Sequence, residues 1–506
     1  MRHALRVLAP LLLPGVLAAQ SPASVQRAVQ SITPDDIRRR IGIIADDSMR
    51  GRDTPSPELE KVAAYIAAEF RRVGLKPGGD NGTFLQRYAI DRVQFVAESS
   101  VAFVHGGGGG DVTLAYGRDF VFGDNMFESG DYAGELVLLT GAMGAPTQLD
   151  TAALAGKMVV LTARVRNRAE RQRLFGWRPA GVIVLTSAPD SLWTAVVERS
   201  NRPQLQDPSR RVGPPLVLTV RTASLAPVLT RLGADSVAVQ QAAQTGAGLE
   251  ARPLGGAQLH LHARIRPVER NSAPNVVGIL EGSDPRLRRE YVVLSAHMDH
   301  VGVGRPVNGD SIYNGADDDA SGTIAVVEAA EAFARLEPRP KRSIIFLTVS
   351  GEEKGLWGSA YFADHAPVPI TDIVADLNTD MVGRNWKDTI VVIGKEHSDL
   401  GATLNRVGAA HPELNMRPID DLWPQENFYF RSDHYNFARK GVPILFFFNG
   451  THADYHRPGD SPDKIDAEKE SRIVKLVFYL GLDVANAAER PKWKPDSYTQ
   501  IVGGAR

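Results

Sequence analysis

Four apolar runs of strand length constrain this chain more than any other feature: "YVVLSA" at 291–296, "SIIFLTV" at 343–349, "DIVADL" at 372–377 and "VPILFFF" at 442–448. A strand exposed on one face alternates apolar and polar residues. A strand covered on both faces reads as a near-continuous apolar run, as in a mostly parallel sheet between two layers of helices. Between the first two runs, residues 324–336 have helical spacing, with Val326, Ala330 and Phe333 on one side. The expectation is an α/β fold, a mostly parallel open sheet flanked by helices and doubly wound. In such sheets ligands gather beyond the carboxyl ends of the strands.

Upstream, "SPELEKVAAYIAAEFRRVGL" is punctuated as a helix. Ser56 can cap it, Pro57 fits its first turn, and Leu59, Val62, Ile66, Phe70 and Val73 line one side before Gly74. From about residue 96 the texture changes to short strands, "ELVLLT", "KMVVLT", "GVIVLT" and "PLVLTV", with one Arg-rich helical stretch from Arg166 to Leu174. This block reads as a small β-rich domain inserted into the larger one. The run Gly106 to Gly110 reads as a flexible loop, because it lacks the Lys-Ser/Thr ending of a phosphate-binding loop. A chain of 506 residues is too long for one ordinary core. The expected divisions are a leader at 1–20, the larger domain at 21–95 and 263–490, the insertion at 96–262 and a tail at 491–506.

The leader, "MRHALRVLAPLLLPGVLAAQ", places Arg2 and Arg6 before an apolar stretch and small residues near a cleavage point at 18–20. The apolar stretch is short for a membrane anchor and holds Pro10 and Pro14. An exported protein, periplasmic or secreted, is therefore expected, without stable membrane insertion once the leader is removed. Lys and Arg number 58 against 59 Asp and Glu, so no global field draws the chain to nucleic acid, and none is expected as a partner. Cysteine is absent, which excludes disulfides, thiolate zinc sites and a cysteine nucleophile. Any metal must then be held by His, Asp and Glu.

The residues just beyond each apolar run matter most. The first run leads into His297, Asp299 and His300, the second into Glu352 and Glu353, the third into Asp380, and the fourth into His452, Tyr455 and His456. "YNGADDDASG" adds Asp317, Asp318 and Asp319 in the loop after the first run. Carboxylates that repel one another become stable together near strong positive charge, which two divalent cations supply. Hard oxygen and imidazole donors suit zinc and tolerate manganese or cobalt. One allocation places His297 and Asp380 on one ion, His456 and Glu353 on the other, and one aspartate of the triplet between them. Two zinc ions, three carboxylates and a shared hydroxide would sum to neutrality. Asp299 is suited to hold the second nitrogen of His297. His300, His434 and His452 stay unassigned. Gly450 and Pro458 mark a loop, which argues against a helical pairing of His452 with His456.

The segments "SAHMDH", "GADDDASG", "GEEKGLWGS", "NTDMVG" and "DYHRPGDSPDKID" resemble, in order and spacing, the co-catalytic di-zinc exopeptidases. That family includes secreted bacterial leucyl aminopeptidases, glutamate carboxypeptidase II and the transferrin receptor. The likeness spans residues 35–95 and 265–485, and the block between them resembles the inserted protease-associated domain through "LAGKMVVL" and "AGVIVL". The resemblance implies a zinc exopeptidase fold and a secreted enzyme acting on peptides. Its most direct form is an aminopeptidase that removes N-terminal residues with a hydroxide held by two zinc ions. By motif position it implies His297, Asp318, Glu353, Asp380 and His456 as metal ligands, with Asp318 bridging. It makes Glu352 the general base and Tyr455 the oxyanion donor. Asp299, Asp319, entered through a cis peptide, and Asp460 would stand behind the ligands, and Asp317 would belong only to the loop. Further along, "DLWPQENFYFRSDHYNFARKG" is expected to supply the substrate pocket, with Trp423, Phe428 and Tyr429 as apolar walls and Arg431 as the nearby cation. A carboxypeptidase of the glutamate carboxypeptidase type, a one-zinc glutaminyl cyclase and a catalytically silent receptor-like protein remain open. The complete ligand set favours a two-metal enzyme.

Overall fold

The computed structural model describes residues 20–96, 101–105, 111–123, 129–143, 149–162, 165, 168–208, 216–234 and 248–503. The leader at 1–19 and the glycine run at 106–110 lie outside the described residues. The chain forms two compact units, one of the described residues up to Tyr88 together with those from Ser272 onward, the other Ala89–Asn271. The expected insertion at 96–262 is shorter at both ends than this second unit. Strands Leu85–Phe95 and Ile265–Leu280 carry the chain across both boundaries, so the change of sequence texture falls inside continuous backbone.

In the larger unit the sheet runs Arg417–Ile419, Thr389–Ile393, Ile444–Phe447, Ile373–Thr379, Tyr291–His297, Ser343–Val349, Ile265–Leu280 and Leu85–Phe95. The four expected strands are its centre and are mutually parallel. Ser343–Val349 and Tyr291–His297 are buried along almost their whole length, which is why their sequences do not alternate. Both flanks turn antiparallel, at Ile265–Leu280 against Ser343–Val349 and at Thr389–Ile393 against Ile444–Phe447.

Helix Pro57–Arg72 starts as its sequence dictates: the Ser56 Oγ accepts from the Leu59 N–H at 3.0 Å and Pro57 occupies the first turn. Leu59, Val62, Ile66 and Phe70 are buried. Helix Gly322–Ala334 departs from the one-sided burial expected of it. Ile324, Val327, Ala329 and Phe333 are all buried because it packs under helices Pro34–Ile44, Pro57–Arg72 and Ala467–Asn486 as well as on the sheet. The tail expected at 491–506 contains one further element. Pro495–Ile501 is a short helix whose Ile501 packs with Phe437, Val442 and Ile444.

The second unit has its own eight-stranded sheet and its own apolar cluster, including Phe120, Leu138, Val160, Ile183 and Leu261. Its centre consists of four parallel neighbours, Gly130–Thr140, Met158–Leu161, Gly181–Thr186 and Leu216–Arg221, which take up the four runs read from the sequence apart from Lys157 and Thr162 at the ends of one and Pro215, outside the described residues, at the start of another. From Arg168 onward the Arg-rich stretch falls in helix Arg168–Gly176, and residues 166 and 167 lie outside the described residues. Among the described residues no helix is long and apolar enough to cross a membrane.

Candidate metal centre

The four central strands run in one direction, so their carboxyl ends meet at one rim. His297 is the last residue of its strand, and Asp380 directly follows Ile373–Thr379. Glu352 and Glu353 lie in the turn after Ser343–Val349, and Tyr455 and His456 in the loop beyond Ile444–Phe447. Asp318 reaches the same place from the segment that enters helix Gly322–Ala334, and its peptide bond to Asp319 is cis.

Asp318 divides its two oxygens. Oδ1 lies 3.3 Å from His297 Nε2, which is itself 3.6 Å from Asp380 Oδ1. Oδ2 lies 3.0 Å from His456 Nε2, which is 3.2 Å from Glu353 Oε1. Two donors about 2.0–2.1 Å from one tetrahedral zinc ion stand about 3.3–3.4 Å apart, so both groups have the spacing of ligand pairs. Glu353 Oε1 and both ring nitrogens of His300 are buried without an aligned hydrogen-bond partner, as donors awaiting a cation would be. The residues therefore fit a pair of divalent ions, with His297, Asp380, Asp318, Glu353 and His456 able to hold them.

Asp319 is buried beside these groups, but its oxygens are taken by the backbone. Oδ2 accepts from the His297 N–H at 3.2 Å, and Oδ1 from Gly322 and Met381 at 2.8 and 3.1 Å. It ties three ligand-bearing segments together and has little left for a metal. Asp299 acts by a different route from the one expected. The His297 Nδ1 faces the Asp299 backbone carbonyl at 3.2 Å, while the carboxylate stands 3.8 Å away. That carboxylate accepts instead from the Thr54 hydroxyl at 2.9 Å and the Glu352 N–H at 3.2 Å, so it positions the turn carrying Glu352. Asp460, expected behind His456, accepts from the N–H groups of Asp317 and Asp318 at 3.1 and 3.0 Å and fixes the triplet. Asp317 is no plain loop residue: it is fully buried, accepts from Gly383 N–H at 2.6 Å and lies 3.2 Å from His452 Nε2.

One position escapes the sequence reading, and another, His300, stays unassigned in it. Arg52, fully buried, donates from Nε to Met298 O at 2.8 Å and from its Nη atoms to Asn314 O, Gly315 O and Asp318 O. It stands over 200 residues before its partners, and an arginine in "GRD" carries no local signal of burial. His300 reaches the second donor group, with Nδ1 2.9 Å from Glu353 Oε1 and 3.8 Å from Asp318 Oδ2. Its spacing from His297 was the available signal.

A cavity at the rim is lined by His297, Asp318, Glu352, Asp380, Phe428, Arg431, Phe446, Phe448 and Tyr455 among others. Of the four expected pocket residues, Phe428 and Arg431 are in its wall, with the Arg431 guanidinium 4.5 Å over the Phe428 ring. Trp423 and Tyr429 are not in that wall. Trp423 backs Phe428 and Phe448 edge-on, and Tyr429 is buried against His397 and His434.

Charge is concentrated here. Burial pushes the Glu352 carboxyl well above the ordinary range, and Glu353, Asp433 and Asp380 act in the same direction against His297. Burial and then Asp318 push Glu353 up, but His300 and His456 outweigh them and hold it at about 2. The Tyr455 hydroxyl is driven further up by burial and by the acids Asp318, Glu353 and Glu352, so it stays protonated. Burial works against charge on Asp318, yet His297 and His456 hold it well below the usual carboxylate value.

Residues 275–481 match peptidase family M28. A probable zinc metalloprotease of Pyrenophora tritici-repentis is 39% identical over 260 residues, covering 43% of this chain and 53% of that protein. A probable leucine aminopeptidase of Arthroderma otae is 27% identical over 222 residues, 42% of this chain and 58% of that one. The chain thus spans little more than half the length of these relatives. Among solved structures, the aminopeptidase from Aneurinibacillus sp. strain AM-1 superposes with a TM-score of 0.51 at 16% identity over 93% of this chain and 98% of its own, a likeness of fold. The strand ends that carry His297, Glu353, Asp380 and His456 all lie inside the segment, residues 275–481, that matches peptidase family M28.

Proposed function

We propose that the protein is an exported zinc-dependent aminopeptidase that uses two ions held by His297, Asp318, Glu353, Asp380 and His456. The observation that carries this reading is the division of the Asp318 carboxylate between two donor groups at 3.3 and 3.0 Å. The family match and the names of the relatives, a zinc metalloprotease and a leucine aminopeptidase, support it. The leader-like residues 1–20 support export, and the second unit is the protease-associated-like insertion of this reading.

Bound zinc would polarise the scissile carbonyl and supply a water of lowered pKa. Glu352 takes a proton from that water and returns it to the leaving amine. Asp299 fixes the backbone of Glu352 through the 3.2 Å bond to its N–H. Tyr455, kept protonated, donates to the oxyanion that develops on the substrate. Phe428, Phe446 and Phe448 form an apolar wall for the side chain of the terminal residue and exclude water from it.

Arg431 in the same wall favours a second reading, a carboxypeptidase whose substrate carboxylate meets the guanidinium. Release of p-nitroaniline from Leu-p-nitroanilide, against release of the last residue from an N-blocked peptide, separates the two. The proposed enzyme cleaves the first, loses activity to 1,10-phenanthroline and, as Glu352→Gln, keeps its metal while turnover falls ~10²- to 10⁴-fold. Full activity in Glu352→Gln would remove the assigned base, and cleavage of the blocked peptide alone would replace the aminopeptidase reading with its rival.

A further inference from the structure

The two donor groups are not equivalent. Asp319 lies with His297 and Asp380, but both its oxygens accept from backbone N–H groups, so that group offers three donors, His297, Asp380 and Asp318 Oδ1, whereas His456, Glu353 and Asp318 Oδ2 are joined by a fourth, His300. His300, His456, Glu353 and Asp318 present one atom each, all within 4.8 Å of one another. The separations from His300 Nδ1, 2.9 Å to Glu353 Oε1 and 3.8 Å to Asp318 Oδ2, bracket the edge of a zinc tetrahedron, about 3.3–3.4 Å. His300 is fully buried, and neither ring nitrogen is aligned with a hydrogen-bond partner. A buried imidazole left in that state has lost the bonds water would give its ring nitrogens, and direct coordination would satisfy one of them.

The surrounding backbone keeps the ring in place. Gly315 has φ +58°, and a Cβ there would lie 2.5 Å from the His300 ring, so the turn admits the imidazole only as glycine. Arg52, whose carbonyl accepts the His300 N–H at 3.4 Å, also holds the carbonyls of Gly315 and Asp318.

We propose that His300 is a direct ligand of the second ion, so that the pair consists of one position closed by four protein donors and one position with three donors that faces substrate. This rests on the two-metal reading above and goes beyond it by making the ions unequal. Zinc sites with four protein donors are the structural kind, and those with three leave a position for water or substrate. The cavity wall contains His297, Asp380 and Glu352 but not His300, Glu353 or His456, although the His456 side chain is 35% exposed and reaches solvent outside that cavity. The ion at His300 is therefore the tightly kept one, and the ion at His297 and Asp380 is the exchangeable one that meets the scissile carbonyl.

The test is stepwise zinc loading of the full chain, with crystals at one and two equivalents measured at the zinc absorption edge. The first anomalous peak is expected among His300, His456 and Glu353, with His300 Nδ1 about 2.0–2.1 Å from it, and the second beside His297 and Asp380. In chelator competition His300→Asn should weaken the tighter ion more than about 100-fold, beyond the 10–100-fold typical of an indirect supporter. Two ions with His300 beyond about 3 Å of both, or first loading at His297, would overturn the proposal and leave the two-metal reading intact. Binding of no more than trace metal would overturn both. If His300→Asn does not fold, the wild-type diffraction alone decides.

Discussion

Replacing Arg52 by methionine keeps most of the side-chain volume and deletes the guanidinium. It removes the donor to four carbonyls, those of Met298, Asn314, Gly315 and Asp318, in a site with no access to water. Hydrogen bonds to a charged group are each worth about 1.5–3 kcal/mol, and the several kcal/mol needed to bury the charge offsets part of their sum. Taking away one side of such a buried arrangement costs about 3–5 kcal/mol. This is a large share of the ~5–15 kcal/mol that stabilises a domain. At about 2–4 °C per kcal/mol, the melting temperature should fall by about 6–20 °C. Tryptophan fluorescence is a suitable probe, because four of the six tryptophans, Trp357, Trp386, Trp423 and Trp493, lie in the larger unit. Arg52→Lys should recover only part of the loss, since a single ammonium cannot span carbonyls on both sides of a planar fork. A shift equivalent to less than ~0.5 kcal/mol, the level of an ordinary surface change, would refute the reasoning.

Three further outcomes are expected. Asp299→Asn should lower kcat about 10- to 100-fold with metal content unchanged, because its carboxylate holds the Glu352 turn rather than the His297 ring; loss of zinc ahead of activity would contradict this. Gly315→Ala should cost more than ~1 kcal/mol in urea unfolding, because φ is +58° and the new methyl group meets His300; an unchanged midpoint would mean the turn relaxes freely. Burial holds the His434 imidazole down at about 3, against 6.5 when free. The unfolded chain then binds a proton in that window that the folded chain does not, so stability is fully present above about pH 6.5 and is lost as pH falls toward about 3, by several kcal/mol at most. The difference in urea midpoint between wild type and His434→Leu should shrink as pH falls across that window, and a constant difference would show that His434 does not titrate this way.

The central strands were legible because burial on both faces removes alternation from their sequences, and "SIIFLTV" matches strand Ser343–Val349 residue for residue. The antiparallel flanks were not, since strand direction at a sheet edge depends on partners that periodicity does not name. Within the candidate site, the segments that supply the donors could be found because each comes after a strand of the same parallel set. The supporting layer could not be. Asp299 and Asp460 both act on backbone N–H groups, and a carboxylate's choice between a neighbouring ring and a neighbouring amide depends on turn geometry, not spacing. Asp317 reads as one more acid in a polar turn, yet it is buried because Gly383 and His452 close over it from distant segments. Trp423 and Tyr429 carry the composition of a pocket, but composition does not say which ring faces the cavity and which backs it.

The central claim is that Asp318 joins two metal ions. Equilibrium dialysis of the full chain against zinc, with Asp318→Asn alongside, tests it most directly. Two ions per wild-type chain, and fewer than one in the variant because both positions lose a donor together, is the expected result. One ion or only traces in the wild type, or two ions retained without the Asp318 carboxylate, would contradict it.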